Sequence, residues 1–269
     1  MTVLIVASKT DPAAMNIADR LIANFGFAHQ TEHSGRTLFR KDEVLLLLVE
    51  GDSTGLSKLE AYQAKAVICV SRHTSESGRP TLTTHVPSNL GSNAHHGGEP
   101  RRLAWADPQR LKSALTGLLE SSDQLKLGEY SVSLEATHHG PTELEVPVLF
   151  VEIGSKREQW LSPKAGEAAA SAALKAATMR EKGKSAVGFG GGHYSPKHTT
   201  LVVKEDFAIG HILPEYFFDD YDPYVVDQAF MKTLGGCGTA VIDWKGLKSG
   251  DRKTLVSTLR RTGIEVVRV

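Results

Sequence analysis

Cysteine is almost missing from this chain: Cys69 and Cys237 are the only two among 269 residues, far apart and without metal-ligand spacing. That excludes a disulfide framework and a cysteine-rich zinc module, and it points to a reducing, cytoplasmic setting. Neither charge sign predominates, since 31 basic residues balance 31 acidic ones. The whole molecule is therefore no generic polyanion binder, and any affinity for nucleic acid must come from local patches. Long apolar runs are also absent. The opening Val3 to Ala7 is only strand length and is followed at once by Lys9 and Asp11, so neither a signal peptide nor a membrane span is expected. There is no His-Glu-x-x-His and no Cys-x-x-Cys, and no serine is read as sitting on a Gly-x-Ser-x-Gly elbow.

What is present is glycine and histidine in loops. Gly188, Gly190, Gly191 and Gly192 end on His193, directly after an apolar run, and are followed by Tyr194, Lys197 and His198. Glycines let the backbone approach a ligand closely. Their spacing does not fit the dinucleotide fingerprint, and no Gly-Lys-Ser/Thr follows for a P-loop. An active-site loop is preferred to a tight structural turn, because the loop also carries proton-transfer groups.

The patterning along the chain is that of an α/β protein. Residues 2 to 7, Val44 to Val49 and Ala66 to Val70 read as strands, the latter two without alternation, as buried parallel strands require. Helices are expected from Asp11-Pro12 to Ala23, over a short stretch from Leu59 to Lys65, and over 107 to 122 behind Asp107 as N-cap. Further strands are expected at Thr81 to Val86 and 129 to 137. The segment 146 to 193 reads as strand, alanine-rich helix to Lys182 and second strand, a βαβ crossover that would place Glu152 and the glycine loop at one edge of one sheet. A strand, helix and strand close the chain after Thr239. The expectation is one α/β domain over 1 to 269, a mainly parallel sheet sandwiched by helices, with a smaller subdomain around 72 to 145.

Three histidine-bearing loops, around His73, His138-His139 and His193, are read as converging. Imidazole serves as base, acid or metal ligand near neutral pH, and Glu135, Glu143 or Glu152 could complete a metal shell or orient a ring. Hydrolysis by activated water is the economical chemistry. His193, His73 and Glu152 are the catalytic candidates, with either histidine as base. His85, His138 and His139 are the metal candidates, although adjacent histidines rarely both ligate one ion. Ser75, Ser77, Gly190, Gly191, Gly192, Tyr194 and Lys197 are the substrate-binding candidates; the serines are expected to hydrogen bond rather than to attack. Asp219, Asp220 and Asp222, among Tyr216, Phe217 and Tyr221, are read as a solvated, partly ordered loop in preference to a metal site. Charge is uneven: Phe150 to Lys204 carries nine Lys/Arg against four Asp/Glu and Thr239 to the end seven against three, whereas 205 to 222 holds six acids and no base; the two basic segments suit a phosphate-bearing substrate or, equally, a solvated helix face.

The segments Ser71 to Gly78, Leu82 to Asn89, His138 to Thr142, Val151 to Ser155 with Trp160, and Gly190 to Lys197 together resemble the archaeal and plant type of D-aminoacyl-tRNA deacylase. The five ordered motifs span most of the chain. Departures are small: Ser88 replaces an expected glycine, and Ser195 and Lys197 stand where alanine and arginine are common. The resemblance implies a phosphorylase- or peptidyl-tRNA-hydrolase-like α/β fold and zinc as cofactor. It implies hydrolysis of the ester joining a D-amino acid to the tRNA 3′ end, which recycles tRNA and keeps D-residues out of translation. Neither membrane nor DNA is an expected partner, and the chain is expected to be a monomer with a dimer left open. The alternatives are a zinc-dependent exopeptidase or nucleoside-phosphorylase-like enzyme, and a non-catalytic tRNA-binding protein.

Overall fold

The computed structural model describes residues 2–30, 36–57 and 59–269. The chain opens with β1 (Val3–Ser8) and α1 (Pro12–Phe25), then β2 (Ala28–His29), β3 (Thr37–Lys41), β4 (Val44–Val49), β5 (Val67–Thr74) and β6 (Thr81–His85). Next come α2 (Pro108–Gln124), β7 (Ser131–Leu134), β8 (Val148–Ser155), the one-turn α3 (Arg157–Trp160) and α4 (Pro163–Thr178). The last third holds β9 (Lys184–Phe189), α5 (Pro196–Lys204), β10 (Phe207–Leu213), α6 (Pro223–Met231), β11 (Thr239–Ile242), α7 (Ser249–Arg261) and β12 (Glu265–Arg268).

Two sheets result. The larger has the order β2-β3-β4-β1-β5-β8-β6-β7 and the smaller β10-β9-β11-β12. In the larger, β4, β1, β5 and β8 are mutually parallel, and their runs are buried along their whole length apart from the carboxyl end of β5. That is the reason β4 and β8 show no alternation: both faces are covered, by α1 and α4 on one side and by an apolar cluster around Leu47, Leu56 and Phe150 on the other. The smaller sheet is parallel throughout.

The crossover expected from 146 to 193 is corrected: β8 and β9 are in different sheets. Both edges of β8 are already occupied, by β5 in parallel and by β6 in antiparallel orientation, so β9 has no edge there to join. The helix between them also stops at Thr178 rather than Lys182. Its next residues are held from outside, Arg180 by Asp107 at 2.9 Å and the Glu181 N–H by Ser113 Oγ at 2.9 Å. The 59 to 65 helix is only a single tight turn, Glu60–Tyr62. The order expected in part of the acidic loop comes from Arg101, which bridges Asp220 and Asp222, and from Asp222, which caps α6.

Caps behave as their sequences require. Asp11 Oδ1 accepts from the N–H groups of Ala13 and Ala14 at the start of α1, while its Oδ2 accepts from the Arg72 N–H at 2.9 Å. One carboxylate thus ties the first helix to the end of β5, where the candidate site begins.

Two buried histidines away from that site make stability pH-dependent. Desolvation pushes His211 down to about 3 and His198 down to about 4, from an ordinary 6.5. Unfolded rings take up protons near 6.5 and the folded ones only far below, so the stability they secure is complete above pH 6.5 and is lost as pH falls toward those folded values. The loss is about 1.4 kcal/mol per pH unit for each ring. His211→Leu is expected to remove about 2 kcal/mol of the stability drop between pH 7 and pH 5, read by urea unfolding. An unchanged drop would show that His211 is not the acid-sensitive group.

Candidate active site

The carboxyl ends of β1, β4, β5 and β8 share one edge, and a cavity of about 620 Å³ opens there. Asp52, Ser71, His73, His139, Glu152 and His193 are among its walls. Strand alternation puts Ser71 and His73 on one face of β5. Register then sets Ser71 opposite Glu152, and the Ser71 hydroxyl donates to Glu152 Oε1 at 2.7 Å. His73 faces Gly154 across the same pair. A Cβ at Gly154 would lie 2.3 Å from Thr81 Oγ1 and 3.0 Å from His73 Cδ2, so the glycine makes room for the imidazole.

The second half of the site comes from the seam between the sheets. After β7 the chain bridges the loop following β9: Glu135 pairs with Tyr194, and the Ala136 N–H donates to the His193 carbonyl at 2.7 Å. Thr137 N–H reaches the Ile212 carbonyl at 2.9 Å. These bonds carry Glu135 and His193 to the β5–β8 edge although β8 and β9 do not share a sheet.

Glu135 is the centre of the cluster and is 1% exposed. Its carboxylate oxygens lie 3.3 Å from His73 Nδ1, 3.4 Å from His85 Nδ1, 3.5 Å from His193 Nε2 and 3.9 Å from His138 Nε2. Glu152 Oε2 lies 3.5 Å from His73 Nδ1. With two carboxylates on Nδ1, that nitrogen carries the proton, and His73 Nε2 accepts from the Tyr194 hydroxyl at 2.9 Å. Burial opposes charge on His73, but Glu152 and Glu135 outweigh it and hold its pKa above the ordinary value. Burial and the neighbouring Glu152 push Glu135 up to about 8. Burial and His73 push His193 down to about 4, and burial depresses His85, His138 and His139 as well.

His138 and His139 do face one centre. His139 has a φ of +45°, and that left-handed turn brings successive rings, 4.4 Å apart, to the same side rather than to opposite faces. Each donates its Nδ1–H to a carbonyl, of Ala136 and of Gly140, at 2.8 and 2.7 Å. This leaves both Nε2 lone pairs for the centre, where His139 Nε2 is 3.3 Å from His85 Nε2. The ligand atoms of His85, His138 and His139 lie within 4.8 Å of one another, as do those of His73, Glu135 and His193, and those of His85, Glu135 and Glu152. His85 Nδ1, His193 Nε2 and both Glu135 oxygens lack a hydrogen-bond partner of good geometry. A buried carboxyl group whose ionisation lacks a partner, beside imidazoles fixed as lone-pair donors, is a donor set that fits a divalent cation.

The remaining sequence candidates divide. Tyr194 and Ser75 line the cavity; Ser77 bonds Ser75 in the adjoining turn at 3.0 Å. Lys197 is turned away onto Asp243 at 2.6 Å. Gly190 and Gly191, at φ +87° and +82°, pack against the 243–247 turn, and their N–H groups donate to the carbonyls of Leu213 and Gly246. The glycine loop therefore shapes the site by positioning His193 and Tyr194, and these two of its N–H groups are already engaged elsewhere. Glu143 caps its own Thr142 and stays outside the cluster. Gly51-Asp52-Ser53-Thr54-Gly55 does match Gly-x-Ser-x-Gly, which corrects the sequence reading. Ser53 is buried with its hydroxyl unpartnered, and only its neighbours Asp52 and Thr54 line the cavity, so it is no exposed nucleophile. Asp11 and Ser71, which sequence reasoning passed over, carry one detectable signal: Ser71 is two residues from His73 on the same strand.

A parallel-stranded α/β frame whose strand ends hold a buried histidine–carboxylate centre in a cavity defines an enzyme of acid–base or metal-assisted chemistry. Residues 60–267 match the family model for D-aminoacyl-tRNA deacylase, and the chain belongs to that family. It is 36% identical to the D-aminoacyl-tRNA deacylase of Pyrococcus furiosus over 98% of this chain and 99% of that one. It is 41% identical to that of Methanosarcina mazei over 78% of this chain and 70% of the other. A crystal structure described as a conserved protein of unknown function superimposes with a TM-score of 0.89 at 30% identity, covering 99% of this chain and 95% of that one. The α/β reading stands. Its likeness to phosphorylases gains nothing from futalosine hydrolase of Helicobacter pylori, which reaches a TM-score of only 0.38 at 11% identity, and the peptidyl-tRNA-hydrolase likeness has no support either.

Proposed function

We propose that this chain hydrolyses the ester bond of D-aminoacyl-tRNA in the cavity at the β5–β8 edge, releasing a free D-amino acid and tRNA. The observation that carries the reading is the base-and-orienter geometry of His73. Its Nδ1 is fixed by Glu135 and Glu152, its Nε2 is turned into the cavity beside Tyr194, and Ser71 holds Glu152. As water adds to the ester carbonyl carbon it gives a proton to the Tyr194 hydroxyl, which passes its own to His73 Nε2. When the carbon–oxygen bond to the ribose breaks, the same ring returns a proton to the departing 3′ oxygen. Glu135 and Glu152 stabilise the imidazolium between the two steps. His193, neutral because of its low pKa, stacks beside His73 at 5.2 Å and orients the water.

His85, His138 and His139, with Glu135 beside them, are the residues that would hold zinc. When bound, such an ion supplies Lewis-acid polarisation of the carbonyl. Two free thiols, Cys69 buried and Cys237 half-buried, suit a cytoplasmic protein. No described helix is long and apolar enough to cross a membrane.

The direct test follows ester cleavage of D- and L-tyrosyl-tRNA, with and without a chelator. The D-ester is expected to be cleaved, the L-ester spared, and chelation to abolish cleavage until zinc is restored. Absence of D-ester cleavage under every metal condition would sink the deacylase reading; cleavage indifferent to chelation would remove zinc from it.

A further inference from the structure

A second concavity of about 570 Å³ lies outside the catalytic cluster, between α7 and the end of β12. Its walls include Trp244, Arg252, Lys253, Arg260, Arg261 and Arg268. Among the described residues none of these five cations is paired with a carboxylate, whereas the nearby Lys184 and Lys248 are neutralised by Glu265 and Asp219. Asp251 is the only acid on α7, and it does not line the groove. Five unpaired like charges around one concavity repel one another, an arrangement that favours a polyanionic occupant.

The groove is stiff at its inner end. Guanidinium carbons of Arg252 and Arg268 sit 4.7 and 3.8 Å from the Trp244 ring centroid, and Arg252 also donates to the carbonyls of Trp244 and Leu247. With the indole so engaged, the groove grips phosphate rather than stacking a base. Its position relates it to the catalytic cavity. β9, β11 and β12 are parallel, so His193 and Tyr194 after β9, Trp244 after β11 and Arg268 at the end of β12 all lie toward one edge of the smaller sheet. The two sites are joined through the glycine loop, where the Gly191 N–H donates to the Gly246 carbonyl and Lys197 meets Asp243. From that edge α7, 13 residues long, carries its basic face away over about 20 Å.

We infer that this groove binds the phosphate backbone of the tRNA whose 3′ end enters the catalytic cavity; the inference rests on the deacylase reading for the identity of that RNA. Its contacts are sequence-independent and set affinity and orientation rather than chemistry.

The experiment measures binding of deacylated tRNA, which carries no ester, to the full chain by filter binding between 50 and 200 mM salt. The K253Q/R260Q/R261Q variant is expected to bind at least about tenfold more weakly, with a salt slope shallower by about two to three. A K65Q/K182Q control removes exposed charge elsewhere and should bind as the parent does. An affinity of the triple variant within twofold of the parent overturns the inference. So does displacement of tRNA by polyglutamate at equal charge, which would make the groove a general polyanion site. Should circular dichroism show the triple variant unfolded, R268Q on β12 decides, with at least a threefold loss expected and none overturning the proposal. If tRNA binding weakens as expected while D-ester cleavage is absent from the parent, the deacylase reading fails and the groove stands.

Discussion

Replacing Glu135 by glutamine is expected to lower D-aminoacyl-tRNA cleavage at least about a thousandfold, the largest loss from any single change in this molecule. Glutamine keeps the volume and leaves the wall of the cavity intact, so the effect isolates the group's capacity to ionise. Four imidazoles converge on this one carboxylate at 3.3 to 3.9 Å, and it is sealed from water. Its loss removes a carboxyl group facing His73 and, among the described residues, the only one that meets both His85 and His138. Mass spectrometry of the purified variant should show reduced zinc in parallel. Near-ultraviolet circular dichroism and melting temperature separate this outcome from misfolding. A variant that folds, holds zinc as the parent does and retains activity within tenfold would move the reaction away from this centre.

The second large effect concerns His73. His73→Ala is expected to reduce kcat at least about a hundredfold with KM little changed, because a general base acts on the transition state and not on ground-state binding. His193→Ala should cost less than His73→Ala, since no carboxylate lies closer to it than 3.5 Å and no hydroxyl completes a relay through it. The two histidines share one cavity and stack at 5.2 Å, so the double variant should lose less than the product of the single losses. A fall of less than tenfold for His73→Ala would reduce that residue to positioning, and a larger fall for His193→Ala would exchange the two roles.

Much of this frame is legible in the chain. Continuous apolar runs mark β4 and β8 as buried strands, and Asp-Pro and Ser-Pro pairs mark the starts of α1, α2 and α4, because cap chemistry is local. The convergence of histidine loops is legible too, from their glycine- and serine-rich settings. The sequence reading passes over α5, β10 and α6, although Ser195-Pro196 and Asp222-Pro223 carry the same pairs, because each helix is only nine residues long. The role of Glu135 is harder still to read. His138 and His139 beside it in sequence mark it as a residue that could complete a metal shell or orient a ring, but so do Glu143 and Glu152, and only packing brings His73, His85 and His193 to this one.

The particular error over β8 and β9 shows where local reasoning stops. Strand, helix and strand in series specify a crossover, but they do not say whether the first strand has an edge to offer. That is decided by β6, which lies more than sixty residues earlier and occupies the edge. Glu152 and His193 therefore line one cavity for a different reason than the expected one: not one sheet but a seam between two brings them together. By itself the sequence determined the element types, the family and the set of reactive side chains, because periodicity, capping and motif order are properties of neighbouring residues. Only the tertiary structure decided which sheet each strand joins, that His139 turns to face its own neighbour's target, and that Glu135 rather than the glycine loop holds the centre. Those outcomes depend on which edges remain free and which polar atoms are left together without water, and both are settled only when the whole chain has packed.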